Sequence, residues 1–173
     1  MKIQVHWGKP IPLTFKKVKL KGGKTQMDAL KHAVKRDVED CLGDGYGVYV
    51  FARRHGDNYY APLYVGRTTT QGFCKRLAQQ FIGRPDLVTY TREQHGRKAL
   101  FLGTITGKPG QNPEKAIKIV ERALIAKCAL DAGHGLFNKR NTKKNFDTIE
   151  FGGDRNARKI SGRLINRPVQ PKK

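Results

Sequence analysis

GVYVFARRHGDNYYAPLYVGRTTTQGFCKR, residues 47–76, is the stretch on which the reading of this chain turns. Two β-rich runs, GVYVFARR and YYAPLYVGR, each set a tyrosine beside a glycine, and the polar residues around His55, Gly56, Asp57 and Asn58 between them read as a turn. The pattern predicts an antiparallel hairpin with Tyr49 and Tyr64 on neighbouring strands. The run Thr68 to Gly72 then has the composition of a helix cap, and FCKRLAQQFI follows with Phe73, Leu77 and Phe81 at helical spacing as an inward stripe. Arg76 and Gln80 fall one turn apart on a different face of that helix, directed away from the core.

Working outward toward the N-terminus, IQVHW and PLTFKKVKL alternate imperfectly and predict one or two strands. Gly22 and Gly23 break the run, Thr25 to Asp28 has the form of a capping box, and Met27, Leu30, Val34, Val38 and Leu42 recur at helical spacing. A helix over about 25–42 follows from that period. Toward the C-terminus, Gly83 to Asp86 is a break, and LVTYTREQHGRK has no clear period and fits a loop, a short helix or a strand. Residues 98–106, KALFLGTIT, are apolar on both faces, as a central strand requires. Residues 107–113 are a loop, and Asn112, Pro113 and Glu114 start a helix running to about residue 131. FDTIEF suits an edge strand, and from Gly152 the basic, apolar-poor composition predicts a loosely ordered tail. The expected organisation is an extension over 1–45 containing one helix, a domain over 46–151 and a basic tail over 152–173.

Thirty-five Lys and Arg against 14 Asp and Glu leave a formal net charge of +21 over 173 residues. That excess makes a polyanion the first partner to consider, nucleic acid ahead of an anionic membrane because no amphipathic anchor or lipidation motif is visible. No run approaches the length of a membrane span, and the start lacks the apolar core of a signal peptide, so an intracellular, cytoplasmic protein is expected. Cys41, Cys74 and Cys128 are too far apart, and too far from paired histidines, for a zinc site or a disulfide framework, and read as reduced thiols.

One residue breaks the helical pattern after Pro113. Ile117, Val120, Leu124, Ile125 and Cys128 form an apolar stripe, and Glu121 falls inside it, not on the basic face with Lys115, Lys118 and Arg122. An inward carboxylate left charged and alone costs several kcal/mol, so it calls for a cation, a metal or a dense hydrogen-bond set. An ordinary ion pair, with Arg76 for example, and a metal site both answer that need.

Taken in order, Gly47-Val48-Tyr49, Tyr64-Val65-Gly66, Arg76 and Glu121 resemble the GIY-YIG nuclease superfamily over about residues 46–141. The resemblance implies an α/β fold, a small, mainly antiparallel mixed sheet flanked by helices. It also implies metal-dependent hydrolysis of DNA phosphodiester bonds, double-stranded DNA as the leading partner, and a monomer or homodimer. Carried over to these positions, Tyr49, Tyr64, Arg76 and Glu121 are catalytic, Glu121 also holding Mg2+ or Mn2+, a hard cation that water and phosphate oxygens would complete. Arg76 contacts the phosphate, with Arg67, Lys75, Lys139 and Arg140 as further nucleic-acid contacts; Arg67, Gln80 and Asn138 support the site, Asn138 being preferred to Asn141. Tyr49 serves the attacking water as base or orienter, the former needing roughly 4 kcal/mol to bring a phenol near neutrality.

Two positions depart from the family's pattern. Arg67 stands where many relatives have lysine and carries protons poorly, and Gln80 stands where many have His or Tyr and carries none near neutral pH. The competing expectation is a nucleic-acid-binding protein that keeps the fold and cuts little; a weaker one is a basic architectural protein. His55, His95 and His134 bear no spacing relation to the motif.

Overall fold

The computed structural model describes residues 3–19, 22, 25–28, 45–55, 59–105, 113–132, 136–138 and 149–161. A mixed, mostly antiparallel six-stranded sheet lies between two pairs of helices. Its long hairpin pairs β5 (Gly47–His55) with β6 (Tyr59–Thr68), and β5 pairs on its other side with β7 (Lys98–Ile105). Every residue of β7 from Ala99 to Gly103 is buried, as expected of a strand covered on both faces.

The far side of β7 carries two short strands end to end, β1 (Ile3–Trp7) and β2 (Ile11–Leu13), both antiparallel to it. In β1 the buried–exposed alternation is strict, so Ile3, Val5 and Trp7 enter the core. β8 (Ile149–Gly153) adds to β1 in parallel and forms the edge opposite β6. Strands β1 and β2 are thus built into the same sheet as the hairpin. A separate ribbon pairs β3 (Lys16–Lys19) with β4 (Thr25–Asp28). The helix expected from about residue 25 is therefore corrected over Thr25–Asp28, where ladder pairing with Lys16–Lys19 replaces it; the rest of that helix, and the loop expected over 107–112, lie outside the described residues.

One face of the sheet is covered by α1 (Phe73–Gly83) and α2 (Pro85–Glu93), the other by α3 (Pro113–Ala132) and α4 (Arg155–Ser161). Alternation along β5 divides its side chains: Tyr49 and Phe51 join Leu77, Phe81 and Leu87 beneath α1 and α2, while Val48, Val50 and Ala52 join Ile117, Val120 and Leu124 beneath α3. Helix α2 is the segment without a clear period, and Pro85 opens it. Its neighbour α1 has Gly72 at its N-cap with no side-chain cap, and Thr68 Oγ1 bonds to the Gln71 carbonyl, so the threonine run does not cap the helix.

The tail expected to be loose from Gly152 is ordered through Ser161. Asp154 Oδ1 accepts from the amides of Asn156 and Ala157 at 2.8 and 3.0 Å, starting α4, and Ala157 and Ile160 are buried in the core. Trp7 Nε1 donates to Ser161 Oγ at 3.3 Å, tying the helix to β1. A few well-placed apolar residues suffice to dock a strongly basic segment.

Candidate functional site

A bulge in β6 prepares the site. Phe51 pairs with Tyr64 but Ala52 pairs with Pro62, leaving Leu63 as an extra residue, with proline at the irregularity where no ladder N–H is needed. Leu63 and Tyr64, adjacent in sequence, consequently both pack on the α1 and α2 face, and Val65 on the opposite one. Tyr49 and Tyr64 come together with ring centroids 6.3 Å apart, buttressed by Phe51 at 5.8 Å from Tyr49 and 5.7 Å from Tyr64.

Gly66, directly opposite Tyr49, makes the space for this phenol. A Cβ there would overlap Cζ, Oη and Cε2 of Tyr49. The glycine of Tyr64-Val65-Gly66 is therefore required by a close approach of ring to backbone.

Tyr49 is fully buried, and among the described residues its hydroxyl has no hydrogen-bond partner at acceptable geometry, although Arg76 and Tyr64 lie nearby. Burial, and then the neighbouring Tyr64, push its phenol above the ordinary value of 10, with Arg76 opposing too weakly to prevail. The lowering needed for a base is not what these surroundings by themselves provide, because desolvation disfavours the phenolate. Tyr64 is half-buried and also raised by burial, Arg84 being the strongest of the groups that oppose it.

From the other face of the sheet, Glu121 on α3 meets this group at the β6 rim. Its side chain is only 12% exposed and forms an ion pair with Arg67 Nη1 through Oε2. The partner is Arg67, not Arg76. Burial holds the Glu121 carboxyl above the usual range of about 4.5, opposed first by Arg67 and more weakly by Arg122 and Arg76. Its charge in turn acts on both tyrosines, so four elements converge: Tyr49 from β5, Tyr64 and Arg67 from β6, Arg76 from α1 and Glu121 from α3.

Gln80 corrects the expectation of a face turned away from the core, because it is only 6% exposed and its Oε1 is buried without a partner among the described residues. Lys75 is exposed. Asn138 acts on the backbone: its Oδ1 accepts from the Val65 amide at 2.8 Å and its Nδ2 donates to the Val65 carbonyl at 2.9 Å. With the Phe137 amide donating to the Leu63 carbonyl at 2.7 Å, the segment Leu136–Asn138 closes the open edge of β6 beside Tyr64. Lys139, Arg140 and Asn141 lie outside the described residues.

Arg84 was not singled out from the sequence, yet it belongs to this region. It ends α1, holds Asp86 through two bonds at 3.1 and 3.0 Å, stands 5.6 Å from the Phe137 ring centroid and acts on Tyr64. The signal was present: Arg76, Gln80 and Arg84 continue one i, i+4, i+8 series.

Any metal held here would rest on Glu121. Among the described residues no three His, Cys, Asp or Glu side chains gather. Such a donor set fits a hard cation that takes the rest of its shell from water and phosphate, not a closed zinc site. A depression of about 370 Å³ lined by Gln4, His6, Glu150 and Phe151 lies at the opposite edge of the sheet, away from this chemistry. No helix among the described residues is long and apolar enough to cross a membrane. Cys74 and Cys128 are unbridged thiols. No protein-family model, curated protein or solved structure matches the chain.

Proposed function

We propose that the chain is a metal-dependent endonuclease of the GIY-YIG type, hydrolysing phosphodiester bonds in DNA. The observation that carries this reading is the convergence of Tyr49, Tyr64, Arg76 and Glu121 from four separate elements on one cationic rim. Arg76 takes the scissile phosphate, its fixed charge and forked donors matching two non-bridging oxygens as negative charge grows there. Tyr64, the phenol that reaches solvent, orients the attacking water; Tyr49, held neutral by burial, supports it from below. Phosphate arriving at Arg67 competes with Glu121 for that guanidinium and frees the carboxylate for a cation. Mg2+ or Mn2+ bound through Glu121 would supply Lewis-acid charge and lower the pKa of a bound water. Water attacks phosphorus and releases its proton to bulk solvent, the bond to the leaving sugar oxygen breaks, and that oxygen takes a proton back from solvent.

The test is nicking of supercoiled plasmid with Mg2+, Mn2+ or EDTA. Metal-dependent cleavage by the wild type, lost in Glu121→Gln and in Arg76→Ala with the fold intact, supports the proposal. No cleavage with either metal refutes it. A second reading, a nucleic-acid-binding protein that keeps the arrangement without cutting, is favoured by the Arg67–Glu121 ion pair and by the sealed Tyr49 hydroxyl. It is distinguished by tight binding, steeply weakened by salt, with no nicking.

A further inference from the structure

A pair of like charges lies at the other end of the tyrosine face. Arg53 on β5 and Lys98 on β7 are directly opposite in register, and Arg53 continues the alternation Tyr49, Phe51, Arg53 along one strand. Like charges so placed are destabilising. Neither has an ion-pair partner among the described residues, and Arg53 Nε is buried without an acceptor. Burial, with Arg53 adding to it, holds the Lys98 amine below its usual value. An anion at this point would relieve both the repulsion and the unmet donor.

Between this pair and the tyrosines runs a half-buried aromatic series. Tyr64 meets Phe137 edge-on at 6.2 Å, Phe137 meets Tyr90 at 5.1 Å, Arg84 stands over Phe137, and Arg53 acts on Tyr90. Alternating cations and aromatic rings are what a nucleic-acid strand with unstacked bases needs: phosphates meet the guanidinium and ammonium groups and base faces meet the rings. A duplex offers only base edges, because its base faces are already stacked.

We propose that the track Tyr64, Arg84, Phe137, Tyr90, Arg53 and Lys98 holds an unpaired strand leading away from the scissile phosphate, so that the substrate is DNA carrying a single-stranded segment beside the cut. The proposal rests on the nuclease reading for its direction, but strand binding by the track is measurable without cleavage. Four residue steps along β5 lead from Tyr49 to Arg53, roughly 13 Å at about 3.3 Å per residue. At about 3.4 Å per phosphate for a fully stacked strand, that length takes at most roughly four nucleotides, and fewer when the bases are unstacked.

The experiment measures fluorescence anisotropy of labelled oligo-dT and of a blunt duplex with the full chain in EDTA. Arg53→Gln/Lys98→Gln removes a repulsive pair, so it folds at least as well as the wild type. It is expected to weaken oligo-dT binding by about tenfold and to reduce the log–log salt slope by roughly 1.4, two phosphate contacts at about 0.7 each, with duplex affinity scarcely moved. Tyr90→Leu and Phe137→Leu each weaken oligo-dT about 5- to 150-fold, and Tyr90→Phe restores it. Unchanged oligo-dT affinity in the charge double variant, or equal losses on oligo-dT and duplex, overturns the track. Plasmid nicking by the wild type alongside those outcomes would leave the nuclease reading intact; track-dependent strand binding without nicking would remove the nuclease reading and keep the track.

Discussion

Replacing Gly66 with alanine tests the close approach on which the tyrosine pair depends. Alanine is favoured over glycine inside a strand by about 0.5–1 kcal/mol where space permits. Gly66 is not among the described glycines with positive φ, so the backbone raises no objection to a side chain. The obstacle is the Tyr49 ring, whose Cζ, Oη and Cε2 occupy the volume a methyl would take. To reach ordinary carbon contact the ring must retreat by roughly 1 Å, and Tyr49 is fully buried against Phe51 and Tyr64. Overpacking of this kind costs about 1–3 kcal/mol, and the upper half of that range is expected here. Urea denaturation of wild type, Gly66→Ala, Tyr49→Leu and the double variant measures it. Leucine lacks Cζ and Oη, so the two changes should couple favourably by on the order of 1–2 kcal/mol. Gly66→Ala as stable as the wild type, or equally destabilising in the Tyr49→Leu background, would refute the reasoning.

Tyr49→Phe removes a buried hydroxyl that has no well-formed partner among the described residues, so stability at neutral pH should hold or rise by up to about 1–3 kcal/mol. Because burial raises the Tyr49 phenol above 10, the unfolded chain releases this proton first as pH rises; wild-type stability should fall above about pH 10 and the variant's should fall less, read by urea titration at each pH. Glu121 is also raised, so between the unfolded value of about 4.5 and its higher folded value the native chain holds more protons. Stability should therefore decline as pH rises through that window, and a Glu121→Gln protein showing the same slope would assign the decline elsewhere. Asn138→Ala deletes both side-chain bonds to Val65, for about 1–3 kcal/mol at roughly 0.5–1.5 each, and should speed exchange of the Val65 amide. Protection of that amide equal to wild type would show that the edge closes without Asn138.

Legibility in the sequence followed the range of the forces involved. The hairpin, β7 and α3 were readable because each carries its own period: alternation along β5, apolar residues on both faces of β7, and the stripe of Ile117, Val120 and Leu124. Thr25–Asp28 was misread because a local helical period yielded to pairing with a strand several residues away. Residues 155–161 were misread because composition does not reveal that Ala157 and Ile160 find a groove to fill. The bulge at Leu63 carried no period at all, yet it sets which way Tyr64 faces.

By itself the sequence determined the residue types at the site, the excess of positive charge, and the inward direction of Glu121, since these depend on chemistry and helical geometry alone. Tertiary structure decided the partners and the protonation. Arg67, not Arg76, meets Glu121, and Tyr49 is buried deeply enough to keep its proton. It also drew in Arg84, Phe137 and Tyr90 beside Tyr64. The physical reason is that desolvation and charge coupling act across space within a few ångströms, between side chains whose separation along the chain says nothing of their distance.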